Sequence, residues 1–233
     1  MLNEAPKKKK KDYSNPTKVQ LVFRTIGECL RRAVTPYLMY LFMSLIMLAC
    51  QAISNKPVAI VLGILCIGGG AFFNGHLCYH YGILHYGAYV AGNLHRRNAV
   101  FGIQSGGDHH REREYRPWKG FLIGLFVGLP VLVFGLIAGS VPNSLNAMGF
   151  AYFAFAMFAG YAIIPITWFG PSDSGFGLKV SPYFSLLFIL LSVLVSGVFY
   201  IVGAKREERR REQEDERMNQ VKEAGEKARK GKK

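Results

Sequence analysis

Two stretches of this chain, Pro57 to His95 and Gly120 to Ser172, contain no Asp, Glu, Lys or Arg. Each exceeds the roughly 20 apolar residues that span the hydrocarbon of a bilayer. Half of the chain is apolar, a fraction that a soluble domain could share, but a soluble domain scatters its charges over its surface. Segregation on this scale excludes a soluble globular fold, a disordered chain and a coiled coil. It predicts an all-α fold, a polytopic membrane helix bundle of four to five spans with an N-terminal interfacial amphipathic helix and a charged C-terminal helix.

The charges that remain carry orientation. There are 29 Lys and Arg against 15 Asp and Glu, a net +14. All the basic residues except Lys56 and Lys179 fall within residues 1–35, 93–119 and 204–233, blocks with net charges of +6, +3 and +4. Basic clusters beside apolar spans mark the cytoplasmic side. The expectation is therefore a multi-pass protein of the cell membrane with its N-terminus, and its C-terminus too, in the cytoplasm. No aromatic residues alternate with the basic runs, so nucleic acid is not an expected partner. The first apolar run starts at Pro36, well behind the pentalysine Lys7 to Lys11, unlike a secretory signal, and the N-terminus is expected to be retained. Cys29, Cys50, Cys66 and Cys78 form no close pair and read as small apolar residues.

Along the chain, residues 1–14 are polar and expected to be disordered. Asn15-Pro16 supplies an N-cap and a first-turn proline for an amphipathic helix over 15–35. On it Val19, Val22, Phe23, Ile26, Leu30 and Ala33 share one face, and Lys18, Arg24, Glu28, Arg31 and Arg32 lie opposite. Such a helix suits anionic headgroups at the interface. Thr35-Pro36 restarts the helix, and the bundle over 36–203 holds apolar segments 36–54, 58–93, 120–139, 147–168 and 181–203, with a basic loop at 94–119. The second segment is long enough to emerge from lipid, with a candidate kink at Gly68-Gly69-Gly70. Residues 204–233 form a charged cytoplasmic tail with opposite-charge pairs such as Glu207 with Arg211 and Arg210 with Glu214.

Five segments conflict with two cytoplasmic ends, which need an even number of crossings. The segment expected not to cross is 147–168, rich in Ala and Gly and ending at Pro165, as a re-entrant element packed inside the bundle.

All six histidines lie between His76 and His110. His76 and His80, four apart, share a helical face and make half of a zinc, copper or iron site, the other half of which would have to come from Cys78, from Asp108, His109 and His110, or from a second subunit. The plainer reading places them, with Tyr79, Tyr86 and His85, as amphipathic side chains at the interface or hydrogen-bonded inside the bundle. Small residues at Gly124, Gly128, Gly135, Gly139, Ala156 and Gly160 mark faces for close helix packing, within the monomer or in a homo-oligomer. The serine-hydrolase elbow, the phosphate-binding loop and the HExxH zinc motif are all absent from the sequence. No cofactor is expected. The sequence therefore points to a non-enzymatic accessory or interaction component, whose basic tails meet anionic lipid headgroups or a cytoplasmic protein partner. The alternative is a small permease or metal-ion transporter with a path lined by His76, His80, Tyr79 and Tyr86.

Overall fold

The computed structural model describes residues 18–91, 115–140, 145–168 and 182–230. The expectations for residues 1–17, including the Asn15-Pro16 cap, for most of the 94–119 loop with Asp108, His109 and His110, and for Ser181 lie outside them. Among the described residues the fold is all-α. Helix α1 covers Lys18–Cys50, α2 Lys56–Ala91, α3 Trp118–Ser140 and α4 Leu145–Thr167; a 3₁₀ turn at Pro182–Leu186 then leads into α5, Leu187–Lys230. Four of these helices, α1, α2, α3 and α5, are long and apolar enough to cross a membrane; among the described residues α4 contributes the apolar stretch Phe150–Pro165.

The helix expected to restart at Thr35-Pro36 does not restart. α1 runs through Pro36 as one helix, so the amphipathic segment and the first span are a single rod about 50 Å long. An interior proline removes one backbone hydrogen bond, and here burial of Pro36 against the bundle compensates. The apolar face read from the sequence points outward: Val19, Val22, Phe23, Ile26 and Leu30 are exposed. Glu28, Cys29, Arg32 and Ala33 form the strip that turns toward α2 and α3. α2 is likewise one helix, without a break at Gly68-Gly69-Gly70.

Glycines set the helix spacing. α2 and α5 run parallel in close contact, with Gly82 on the backbone of Tyr200 and Ala204, and Gly203 on the backbone of Tyr79. α3 runs antiparallel to α5, with Gly124 against Ser192 and Val193, Gly128 against Ile189, and Gly135 against Ser185 in the 3₁₀ turn. In lipid, helix association depends on such close approach because the surroundings are as apolar as the side chains. The interior is correspondingly mixed, with Tyr40, Tyr161, Phe155, Ile123 and Val127 beside fully buried Asn74, Ser44 and Ser196. Asn74 Nδ2 donates to Ser196 Oγ at 2.9 Å across the α2–α5 seam.

α4 departs from the other helices. At Ala159 its backbone leaves helical geometry, with φ −145° and ψ 37°. Its first residue follows the end of α3 by only five positions, hence within about 18 Å of it. Beyond the break, the Trp168 indole packs on Gly63 near Met47. Backbone groups near the break find partners in α1: the Tyr161 N–H donates to Ser44 Oγ at 3.1 Å, and the Tyr37 hydroxyl donates to the Phe158 carbonyl at 3.5 Å.

Candidate functional site

The most charged part of the interior joins α1, α2, α3 and α5. α1 supplies Glu28 from its bundle-facing strip. α2 supplies His85, and the first turn of α3 supplies Lys119. Lys119 Nζ lies 3.2 Å from Glu28 Oε2, and His85 Nε2 lies 2.9 Å from Glu28 Oε1. Arg32, one turn further along α1, approaches the same carboxylate at 3.6 Å and covers the Tyr81 ring at 4.7 Å. His85 Nδ1 is 2.7 Å from the Tyr200 hydroxyl of α5. The Lys119 and His85 side chains are 3% and 6% exposed, while Glu28 is 38% exposed. The carboxylate thus reaches the surroundings, and its two partners do not.

His85 Nε2 lies at ion-pair distance from the carboxylate without hydrogen-bond geometry, while His85 Nδ1 and the Tyr200 hydroxyl share a hydrogen bond whose direction follows the imidazole tautomer. The Tyr200 ring that ends this series is fully buried and stacked on Tyr115 at 5.7 Å. What the arrangement does is hold helices together: one carboxylate compensates a buried ammonium from α3 and orients an imidazole from α2, which in turn meets α5.

A second ionic cluster fixes the start of the charged tail. Glu207, with its side chain 5% exposed, pairs with Arg210 and Arg211, each at 2.9 Å. Arg211 also donates to the Gly87 carbonyl of α2 at 3.5 Å, and Arg206 donates to the Tyr79 hydroxyl at 2.5 Å. The pair Arg210 with Glu214, expected at i,i+4, stands at 3.6 Å. From Glu212 to Gly225 the tail helix is exposed on every side.

The residues singled out from the sequence are dispersed. His76 and His80 lie exposed on the outer face of α2, their Nε2 atoms 3.2 Å apart. Among the described residues no set of three or more His, Cys, Asp or Glu gathers where a metal could sit. Cys78 is buried on another face, with its thiol donating to Asn74 Oδ1 at 3.6 Å. Tyr79 is engaged by Arg206 and lies edge-on to His80 at 5.6 Å, and Tyr86 packs edge-on to Tyr115 at 5.5 Å. Gly124, Gly128 and Gly135 face α5 and its 3₁₀ turn, Gly160 faces Ser44, and Ala156 is buried in the core. Gly139 lies in the last turn of α3.

Sequence reasoning missed Glu28 and Lys119 as a pair. A signal existed: Glu28 is the sole carboxylate between Asp12 and Asp108, a lone acid entering a charge-poor bundle. No protein-family model, curated protein or solved structure matches the chain.

Proposed function

We propose that this protein is a non-enzymatic accessory component of the cytoplasmic membrane, built to present a charged helical arm to a cytoplasmic protein. It crosses four times, with α1, α2, α3 and α5, and α4 enters and leaves on one side. Both termini then face the cytoplasm, as the basic blocks require. The observation that carries this reading is the continuity of α5. One helix runs from Leu187 in the bundle to Lys230, and Arg206 on the Tyr79 hydroxyl and Arg211 on the Gly87 carbonyl tie its exit to α2, so a load on the arm acts directly on the bundle.

The chemistry of the arm selects its partner. Lys205 to Arg211 carries a net +3 and sits where anionic headgroups would meet it. Residues 212–233 carry only +1 and offer exposed Met218 and Val221 among charges, which suits a protein surface better than lipid. Removing residues 212–233 leaves the Arg206 and Arg211 contacts intact, so the shortened protein is expected to fold and to lose its partner. A photoreactive side chain at Met218 or Val221 should yield an adduct with a cytoplasmic protein in cells. Adducts with lipid alone, or none, would count against the reading.

One observation favours the permease alternative, and it lies away from the histidines. A helix broken near its middle is an element many transporters use, and the fully buried Tyr161 beside the break has a hydroxyl with no hydrogen-bond partner among the described residues. A path based there predicts that Tyr161→Phe alters solute uptake into vesicles while His76→Ala and His80→Ala do not.

A further inference from the structure

The outer face of α2 carries half of a metal site in working geometry. Leu65, Gly68, Phe72, His76, His80 and Leu84 follow one another at helical spacing along an exposed stripe. Phe72 is 72% exposed, and a side chain added at Gly68 would meet nothing within 4 Å. The two imidazoles at the centre of this stripe hold their Nε2 atoms 3.2 Å apart. Two nitrogens bound to one tetrahedral zinc at bond lengths of about 2.0–2.1 Å stand roughly 3.3 Å apart. The pair therefore needs little rearrangement to chelate. Its rings are held by aromatic neighbours, with Phe72 stacked on His76 at 6.2 Å and Tyr79 edge-on to His80 at 5.6 Å.

Two ligands make an open site, and the described part of the chain adds no third: Cys78 points away into the core and the Tyr79 hydroxyl is taken by Arg206. We infer that a second copy of the chain completes the site, with His76 and His80 from each of two α2 helices binding one zinc or similar tetrahedral divalent ion at a dimer seam. Copies inserted in the same orientation bring their histidines to the same depth without any adjustment, and a two-fold axis along the membrane normal sets the four imidazoles around one point. Open space at Gly68 lets the two helices approach, and Leu65 and Phe72 supply apolar contact on the membrane side of the metal. Four neutral imidazoles suit zinc, which takes nitrogen ligands in tetrahedral sites. The inference is independent of what the arm binds, because the seam lies on α2.

Native mass spectrometry of the full-length, tag-free protein in detergent, titrated with zinc alone, tests it by reading mass and stoichiometry together. The expected result is a dimer holding one zinc, reverting to monomer with a chelator. His76→Ala and His80→Ala are expected to lose the zinc and the zinc-dependent dimer together, and because both side chains are exposed the variants should keep the helical circular dichroism of the parent. One zinc on a monomer would overturn the proposal by placing the remaining ligands in the same chain. So would no zinc retention, or a dimer indifferent to zinc and to both substitutions.

Discussion

Replacing Glu28 by alanine is expected to destabilise the bundle by about 2–4 kcal/mol, the largest effect of any single side-chain truncation here. Removing one member of a buried ion pair costs roughly 3–5 kcal/mol, because the charge left behind is neither solvated nor paired. Glu28 is itself 38% exposed, which trims its own contribution. Lys119, at 3% exposed, would lose the carboxylate that lies 3.2 Å from its ammonium. The same physics predicts a rescue. Lys119→Met in the Glu28→Ala background removes the buried charge that Glu28 compensated and should recover much of the lost stability, since apolar replacement of both partners is commonly neutral. Thermal unfolding in detergent, run as a double-mutant cycle, reads the coupling directly. Additive losses would show that the two residues do not act as a pair. Glu28→Gln should fall between the two, keeping the shape and hydrogen-bonding capacity near His85 but not the charge.

The second large effect is expected at the α2–α5 seam. In Gly203→Ala the new methyl would collide with the carbonyl oxygen of Tyr79, and in Gly82→Ala with that of Tyr200. Overpacking usually costs about 1–3 kcal/mol. Here the obstacle is backbone on both sides, which no rotamer change can move, so each substitution should reach the top of that range. The separation of the helices would also loosen Asn74 from Ser196 and His85 from Tyr200, because both bonds cross the same seam. Gly27 and Gly225, helical glycines with open space around them, provide the contrast. Alanine there relieves the entropic cost of glycine in a helix and should stabilise by up to about 1 kcal/mol. Equal losses at all four positions would mean that close approach is not what the seam glycines provide.

Part of this architecture was legible in the residues. The charge-free stretches dictate helices in lipid, while whether 147–168 crosses depends on the topology; among the described residues its helix is interrupted at Ala159. Pair spacing alone located Glu207 with Arg211 and Arg210 with Glu214. The rest turns on which way a helix faces. Periodicity put Glu28 opposite Phe23 and Leu30, but in a membrane bundle the apolar face turns to lipid and the polar strip can turn inward, the reverse of a soluble helix. Pro36 misled for a related reason: local chemistry says that a helix starts there, while burial against neighbouring helices keeps an existing one going. His76 and His80 drew attention by composition, yet composition does not reveal that they lie on the outer surface, nor that His85, two turns later, lies inside. The α4 break at Ala159 has no sequence mark of its own, since alanine is a strong helix former.

The placement of both termini turns on the number of crossings. Paired compartment-sensitive reporters, one active only in the cytoplasm and one only outside it, fused in turn to the N-terminus and after Lys233, measure this directly. Four crossings with α4 turned back on one side predict cytoplasmic signals from both ends. Signals from opposite sides would mean that α4 crosses fully, and would contradict both the fold of the membrane segment and the placement of the charged arm.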